Sequence, residues 1–394
     1  MTKKKTIEDI DVSDKKILLR LDWNVPADKD GAVTDDFRIR ASVPTLNYLL
    51  ERGCSLIILS HRGRPEVPNG KDSLEQVAKK AEEILGREVK FVKDLTGEQA
   101  RQAVDVLKAG DVLVLENTRF YPQEKAGDQD FARKLAAYGE VFVFDAFAVA
   151  HRADASVVGI NKFLPSAAGF LVKKEITELS KAVDNPKKPV LAITGGAKLE
   201  TKLPLLNNLM NFADNMVVAG VMANVMLLAQ GYRIGKSVVD EESLKIAEEV
   251  LTKAEEDGVK FVLPVAGVAV GKSLDDKERR EVQLADISDD DLILDFSEQS
   301  IKDVKALISQ ASTIIWNGPL GYYENPIFAE GSKRIARAIA DSSALSIVGG
   351  GDTADVVNSL GLADKFTHVS TGGGASLDFM SGKGLPGIGA LLDK

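Results

Sequence analysis

A single cysteine, Cys54, stands in the whole chain, so no internal disulfide and no cysteine-based zinc site can form. Histidine is nearly as scarce, with three residues, which makes the setting of each one informative. No run of eighteen apolar residues occurs, so no membrane-spanning helix and no membrane partner are expected. The start, MTKKKTIEDIDV, is basic but lacks the apolar stretch of a secretory signal, and a cytoplasmic location follows as the expectation. The net charge of −9 argues against broad nucleic-acid binding while leaving room for a local basic cleft. What is present is an ordinary globular composition, 44% hydrophobic and 28% charged, in 394 residues, enough for two or three domains with their own cores.

Short β-rich runs alternate with helical spacing from end to end. Expected strands are ILLRLDW (17–23), SLIILS (55–60), DVLVLEN (111–117) and VFVFDAF (141–147), then VLAITGG (190–196), MVVAG (216–220), FVLPV (261–265), TIIWNG (313–318) and LSIVGG (345–350). Ser73 with Gln76 and Thr96 with Gln99 fit capping boxes ahead of helices. The alternation predicts an α/β fold of doubly wound parallel sheets, with functional residues at the carboxyl ends of the strands. LVKKEITELSKAVDN (171–185) reads as one amphipathic helix stopped by PKKP (186–189), which joins two α/β halves. There is no internal repeat.

Two runs of three glycines, in SIVGGGDTADVV and HVSTGGGASLDF, each follow an apolar β-rich stretch and lead into helical spacing. Glycine lets backbone N–H groups turn toward an anion, and the following helix adds its positive end. The pair therefore predicts a polyphosphate site on neighbouring strands, with Asp352 placed for the Mg²⁺ that a nucleotide brings and Thr353 beside it. TGGAKLETK (194–202) adds Lys198 and Lys202, expected on one face of a helix with Pro204 early in it, and Glu324 in WNGPLGYYE suits ribose hydroxyls. Trp316 reads as a core aromatic. GYRIGKS (231–237) and GVAVGKS (267–273) are one residue short of a P-loop, and GKGLPG (382–387) follows no strand, so all three are set aside.

In the first half, arginine and histidine gather after the strands: His61 and Arg64 in SHRGRP, Arg119 in ENTRF, Arg152 in AHRADAS, and Arg38 in DDFRIRASVP. Together they predict a cationic pocket on an acidic protein, suited to a small ligand with phosphate and carboxylate groups. Asp22 and Asn24, in LRLDWNVP, suit its hydroxyl.

From LRLDWNVP through SHRGRP, ENTRF, DAFAVAHRADAS, GGAKLETK, WNGPLG and GGGDTA to STGGGAS, the chain resembles the phosphoglycerate kinase family. The resemblance implies a triose-binding domain over 1–170, joined by the C-terminal peptide from about 380 to 394, and a nucleotide-binding domain over 171–379. It implies transfer of the acyl phosphate of 1,3-bisphosphoglycerate to MgADP, giving 3-phosphoglycerate and ATP, by a monomer that closes about a hinge. Arg38 and Lys198, with the backbone N–H groups of Gly350, Gly351, Gly373 and Gly374, would stabilise the moving phosphoryl group. Asp22, Asn24, Arg38, His61, Arg64, Arg119 and Arg152 would bind the triose. Gly196, Ala197, Lys198, Lys202, Asn317, Glu324, Gly349, Gly350, Gly351, Asp352 and Thr353 would bind the nucleotide, and Asp352 would hold Mg²⁺.

Several positions depart from the family pattern. Ala148, Val149 and Asp154 replace glycine, threonine and histidine, and Arg62 replaces leucine as an expected partner for Asp154. On the adenine side, Ala219, Val221, Ala266 and Ser297 suggest a rebuilt wall that uses ADP and GDP alike. A relative that keeps the fold as a weakly active binding protein is the alternative reading, resting on these changes. A nicotinamide-dependent dehydrogenase lacks a fingerprint.

Overall fold

Every strand expected from the apolar runs is present in the computed structural model, which describes residues 4–29, 31–65, 67–237, 239 and 241–394. The first three residues of the basic start lie outside the described residues. The chain divides into two compact units, Met1–Thr177 with Gly384–Lys394, and Glu178–Lys383.

The first unit holds β1 (Lys16–Leu21), β2 (Ser55–Leu59), β3 (Lys90–Val92), β4 (Val112–Leu115), β5 (Val141–Asp145) and β6 (Ser166–Ala168). They form one parallel sheet in the order β3-β4-β2-β1-β5-β6. β2 and β5 are buried at every residue, as strands covered by helices on both faces must be. Ile17, Leu19, Leu46, Ile58 and Val143 belong to the core that packs one face.

The second unit holds β7 (Val190–Thr194), β8 (Asn215–Val218), β9 (Lys260–Val262), β10 (Val268–Gly271), β11 (Arg280–Val282), β12 (Leu292–Phe296), β13 (Thr313–Asn317), β14 (Leu345–Gly349) and β15 (His368–Val369). Six make a parallel sheet, β15-β14-β13-β7-β8-β9, and β11-β10-β12 make a small antiparallel one. Trp316 is fully buried in this unit's core, its Nε1 donating to Gly318 O at 2.8 Å. The antiparallel sheet accounts for one rejected motif, because residues 268–271 of GVAVGKS are β10 rather than a loop.

The joining helix runs from Phe170 to Val183 and contains the division between the units. Its first turn is held by Asp145 at the end of β5, whose carboxylate accepts from Val172 N at 2.9 Å and from the Thr45 hydroxyl at 2.6 Å. The C-terminal peptide returns to the first unit: Lys5 N donates to Leu392 O and Gly387 N to Ala150 O, each at 2.8 Å.

Neither capping box forms. At the helix Glu75–Leu85 only half of the box is present: the Ser73 hydroxyl accepts from Glu75 N at 3.3 Å and donates to Glu116 at 2.8 Å, while Glu116 rather than Gln76 completes the cap by accepting from Leu74 N at 3.0 Å. The helix Glu98–Asp105 is capped by Asp94 rather than Thr96, its carboxylate accepting from Leu95, Gly97 and Ala100 N. A carboxylate with several lone pairs satisfies more orphan amides than one hydroxyl does.

Candidate active site

In the first unit the gathered residues follow the carboxyl ends of β1, β2, β4 and β5. Asp22, directly after β1, is nearly buried and forms an ion pair with Arg38, the second residue of the helix Phe37–Leu50. Asn24 turns its Oδ1 to Gly63 N at 2.8 Å, tying the end of β1 to the loop that carries His61 and Arg64. His61 is 3% exposed, with Nδ1 3.8 Å from Asp22 Oδ1 and 3.3 Å from Arg20 Nη2. Burial, reinforced by the charges of Arg20, Arg152 and Arg38, drives its pKa well below the usual imidazole range. The ring is therefore neutral, and a guanidinium donating to Nδ1 leaves the proton on Nε2.

Arg119 donates from Nη1 to Gly63 O at 2.6 Å, while its Nε is buried with no hydrogen-bond partner among the described residues. Arg152 Nη1 and His151 Nδ1 are in the same condition. Buried arginine donors without protein acceptors are costly unless an anion takes them. Arg64 lies on the same loop as His61 but is exposed.

Beneath this pocket lies a charge that sequence reading passed over. Arg20, within β1, is fully buried and donates from Nε to Ser156 Oγ at 2.8 Å and from Nη1 to Leu21 O. Ser156 donates in turn, by hydroxyl and backbone N–H, to Glu124, which is 1% exposed. Burial raises the Glu124 carboxyl against the pull of Arg20. The available signal was a lone arginine inside an apolar strand, where a charge must find partners.

In the second unit a cavity of about 330 Å³ opens at the carboxyl ends of β7, β8, β13 and β14. Gly195, Gly196, Ala197, Lys202, Asn317, Glu324, Gly350, Gly351, Asp352 and Thr353 line it. Gly195 and Gly318 approach so closely that a Cβ on either would lie 2.0 Å from the other loop's backbone, so only glycine fits. Gly350 takes φ 91° at the start of the helix Gly351–Ser359, which directs that helix's N-terminus at the cavity. Lys202 donates to Asn317 Oδ1, and burial lowers its ammonium pKa, opposed by Asp352. Thr353 accepts from Gly318 N at 2.6 Å, and Tyr323 donates to Asp352 Oδ1 at 3.3 Å.

The two glycine runs do stand on neighbouring parallel strands, β14 and β15, and the helix Gly374–Met380 follows the second. Gly373 and Gly374 do not line the cavity, since β15 is the edge strand beyond β14. Gly349 also lies off the lining, where a Cβ would lie 2.4 Å from Met380. Lys198 departs from expectation as well. It precedes the helix Leu199–Met210 in an extended conformation, φ −132°, and is exposed, so it shares no helical face with Lys202. Pro204 is the sixth residue of that helix, inside it rather than in its first turn.

Residues 7–383 match the family model described as phosphoglycerate kinase. The chain belongs to the phosphoglycerate kinase family. It is 45% identical to the phosphoglycerate kinase of Dictyoglomus turgidum over 99% of this chain and 100% of that one. It is 46% identical to that of Chloroflexus aurantiacus, with 99% of each covered. Among solved structures, the phosphoglycerate kinase of Coxiella burnetii superimposes with a TM-score of 0.90 at 36% identity, with 98% of each chain covered. That of Pyrococcus horikoshii gives 0.86 at 34%, with 98% of each covered.

The departures from the phosphoglycerate kinase pattern resolve unevenly. Arg62 does not pair with Asp154. It is buried and donates to Ser73 O at 3.1 Å and Gly31 O at 2.9 Å, which clamps the loop carrying His61. Asp154 instead adds its charge to the field around Arg20 and Glu124. Of the altered adenine-side positions, Val221 lines the cavity, whereas Ala219 and Ser297 are buried off the lining and Ser297 caps the helix Glu298–Gln310. Ala266 is off the lining too.

Proposed function

We propose that this chain is a phosphoglycerate kinase, transferring the acyl phosphate of 1,3-bisphosphoglycerate to MgADP and running the reverse reaction from 3-phosphoglycerate and MgATP. The observation that carries this is one anion site of a different kind on each unit. Buried donors of Arg119 and Arg152 with no hydrogen-bond partner among the described residues suit a compact phosphorylated carboxylate. A glycine-lined cavity at a helix N-terminus suits a polyphosphate.

Asp22, Asn24, His61, Arg64, Arg119 and Arg152 hold the triose. Gly196, Ala197, Lys202, Asn317, Glu324, Gly350, Asp352 and Thr353 hold the nucleotide, and Gly349, off the lining, has no part in it. The β-phosphate oxygen of ADP forms the new P–O bond as the bond from phosphorus to the acyl oxygen breaks. A carboxylate leaves, and because its conjugate acid has a pKa of about 4, departure needs no proton donor. A neutral His61 therefore fits a positioning role. Arg38, Lys198 and the backbone N–H group of Gly351 take the charge of the moving phosphoryl group.

Asp352 fits the Mg²⁺ that accompanies the nucleotide, supplying charge neutralisation at the phosphates. Among the described residues no group of three or more His, Cys, Asp or Glu side chains could hold a metal alone. Among the described residues, no helix is long and apolar enough to cross a membrane. A cytoplasmic monomer is the accompanying reading. ATP formation that requires both 1,3-bisphosphoglycerate and MgADP, followed in a coupled assay, tests the proposal. A folded chain that forms no ATP would overturn it.

A further inference from the structure

Beneath the arginine pocket of the first unit lies a carboxylate that the proposed chemistry leaves unused. Glu124 stands in the short helix Pro122–Lys125, five residues after Arg119, and is 1% exposed. Its Oε2 accepts from Ser156 N at 2.9 Å and its Oε1 from the Ser156 hydroxyl at 2.5 Å. Ser156 follows Arg152 by four residues, so these two bonds tie the segment of one arginine to that of the other. The segments also approach closely at Gly127, where a Cβ would lie 2.9 Å from Ala153 O.

A hydroxyl has one hydrogen. Donated to Glu124, it leaves only the lone pairs of Ser156 Oγ for Arg20, whose Nε donates to that oxygen at 2.8 Å. The guanidinium is planar, so fixing Nε also directs Nη2, which lies 3.3 Å from His61 Nδ1. The direction of every bond in the row is therefore set at the carboxylate. A buried ion pair seldom adds stability over an apolar filling, so folding alone gives little reason for this one.

We infer that Glu124 is a positioning residue for triose binding: through Ser156 it sets the spacing of Arg119 and Arg152, and through Arg20 it holds the His61 proton on Nε2. The inference rests on the triose reading of this pocket. An anion that takes the buried donors Arg119 Nε and Arg152 Nη1 needs them at one fixed separation. Side chains locked before binding lose less freedom when the ligand arrives.

Glu124→Gln keeps the shape, removes the charge and brings an amide donor where Ser156 now finds an acceptor. Asp22 and Asp154 still bear on Arg20, so the buried arginine stays compensated. Ser156→Ala, the second variant, cuts the row at its middle. Calorimetry with 3-phosphoglycerate should show about tenfold weaker binding in each folded variant, the effect of one lost hydrogen bond, with MgADP affinity unchanged. Heteronuclear NMR of the three imidazoles, with His61 assigned by its loss in His61→Gln, should show Nε2–H in the wild type. Both variants should show a mixture with Nδ1–H. Wild-type affinity for 3-phosphoglycerate in either folded variant, or a His61 tautomer that does not move, would overturn the inference and leave the triose reading standing. No binding of 3-phosphoglycerate by the wild-type chain would remove that reading and the inference with it.

Discussion

Individual side chains in this protein act mainly through charge held in a chosen place. Lys198 and Arg64 carry the same charge but are proposed to use it at different moments. Replacing Lys198 by alanine should lower kcat by about a hundredfold or more with little change in either KM, since its charge matters when the phosphoryl group lies between oxygens. Arg64→Ala should instead weaken 3-phosphoglycerate binding and leave MgADP affinity nearly unchanged, which calorimetry on each ligand can check. Asp295 shows burial working the other way. It is 2% exposed, accepts from Gly331 N at 2.8 Å, and leaves Oδ1 unpartnered among the described residues. Burial pushes its pKa up to about 7. Between its ordinary value of 3.8 and about 7, the folded chain holds a proton that the unfolded chain has released. Stability therefore falls as pH rises through that window, and Asp295→Asn should flatten the slope in urea titrations. Asp145, raised to about 6, would supply part of what remains.

Elements were legible wherever a strand was long and buried. SLIIL, VFVFD and TIIWN announce themselves because a strand covered on both faces is apolar throughout. The strands that escaped, β3, β6, β10, β11, β12 and β15, are short or belong to the small antiparallel sheet, where few residues carry the pattern. Helix starts were read from the wrong residue for a related reason. Thr96 looked like a cap because it is local, but Asp94 reaches three backbone amides from the preceding turn. Asp94→Ala should cost about 1–2 kcal/mol of stability, whereas Thr96→Ala should change it by less than about 0.5 kcal/mol. Equal losses in urea denaturation would return the cap to Thr96.

For the molecule as a whole, the last residues bear on a site far from them in sequence. Leu385, Ile388 and Leu391 are buried, and Gly387 N donates to Ala150 O, two residues before Arg152. A Cβ on Gly387 would lie 2.8 Å from Val157, so the peptide packs closely on the segment bearing Arg152 and Asp154. Deleting residues 384–394 removes three buried apolar side chains, each worth about 1.5–3 kcal/mol. The first unit should then lose several kcal/mol of stability and its affinity for 3-phosphoglycerate, with MgADP binding to the other unit preserved. Hydrogen exchange resolved by segment would show the loss confined to residues 4–177 or, against this account, spread through both units.

Order and composition were enough for the α/β class, the main strands, the helix between the halves and the candidate residues that follow the strands. Those features depend on local apolar pattern and on the rule that parallel strands present their carboxyl ends together. Contact alone decided the rest: that Arg20, Ser156 and Glu124 form one buried network, and that Arg62 clamps a loop instead of pairing with Asp154. A side chain's partners come from segments distant in the chain, and burial sets whether its charge or its lone pair is free to meet a ligand.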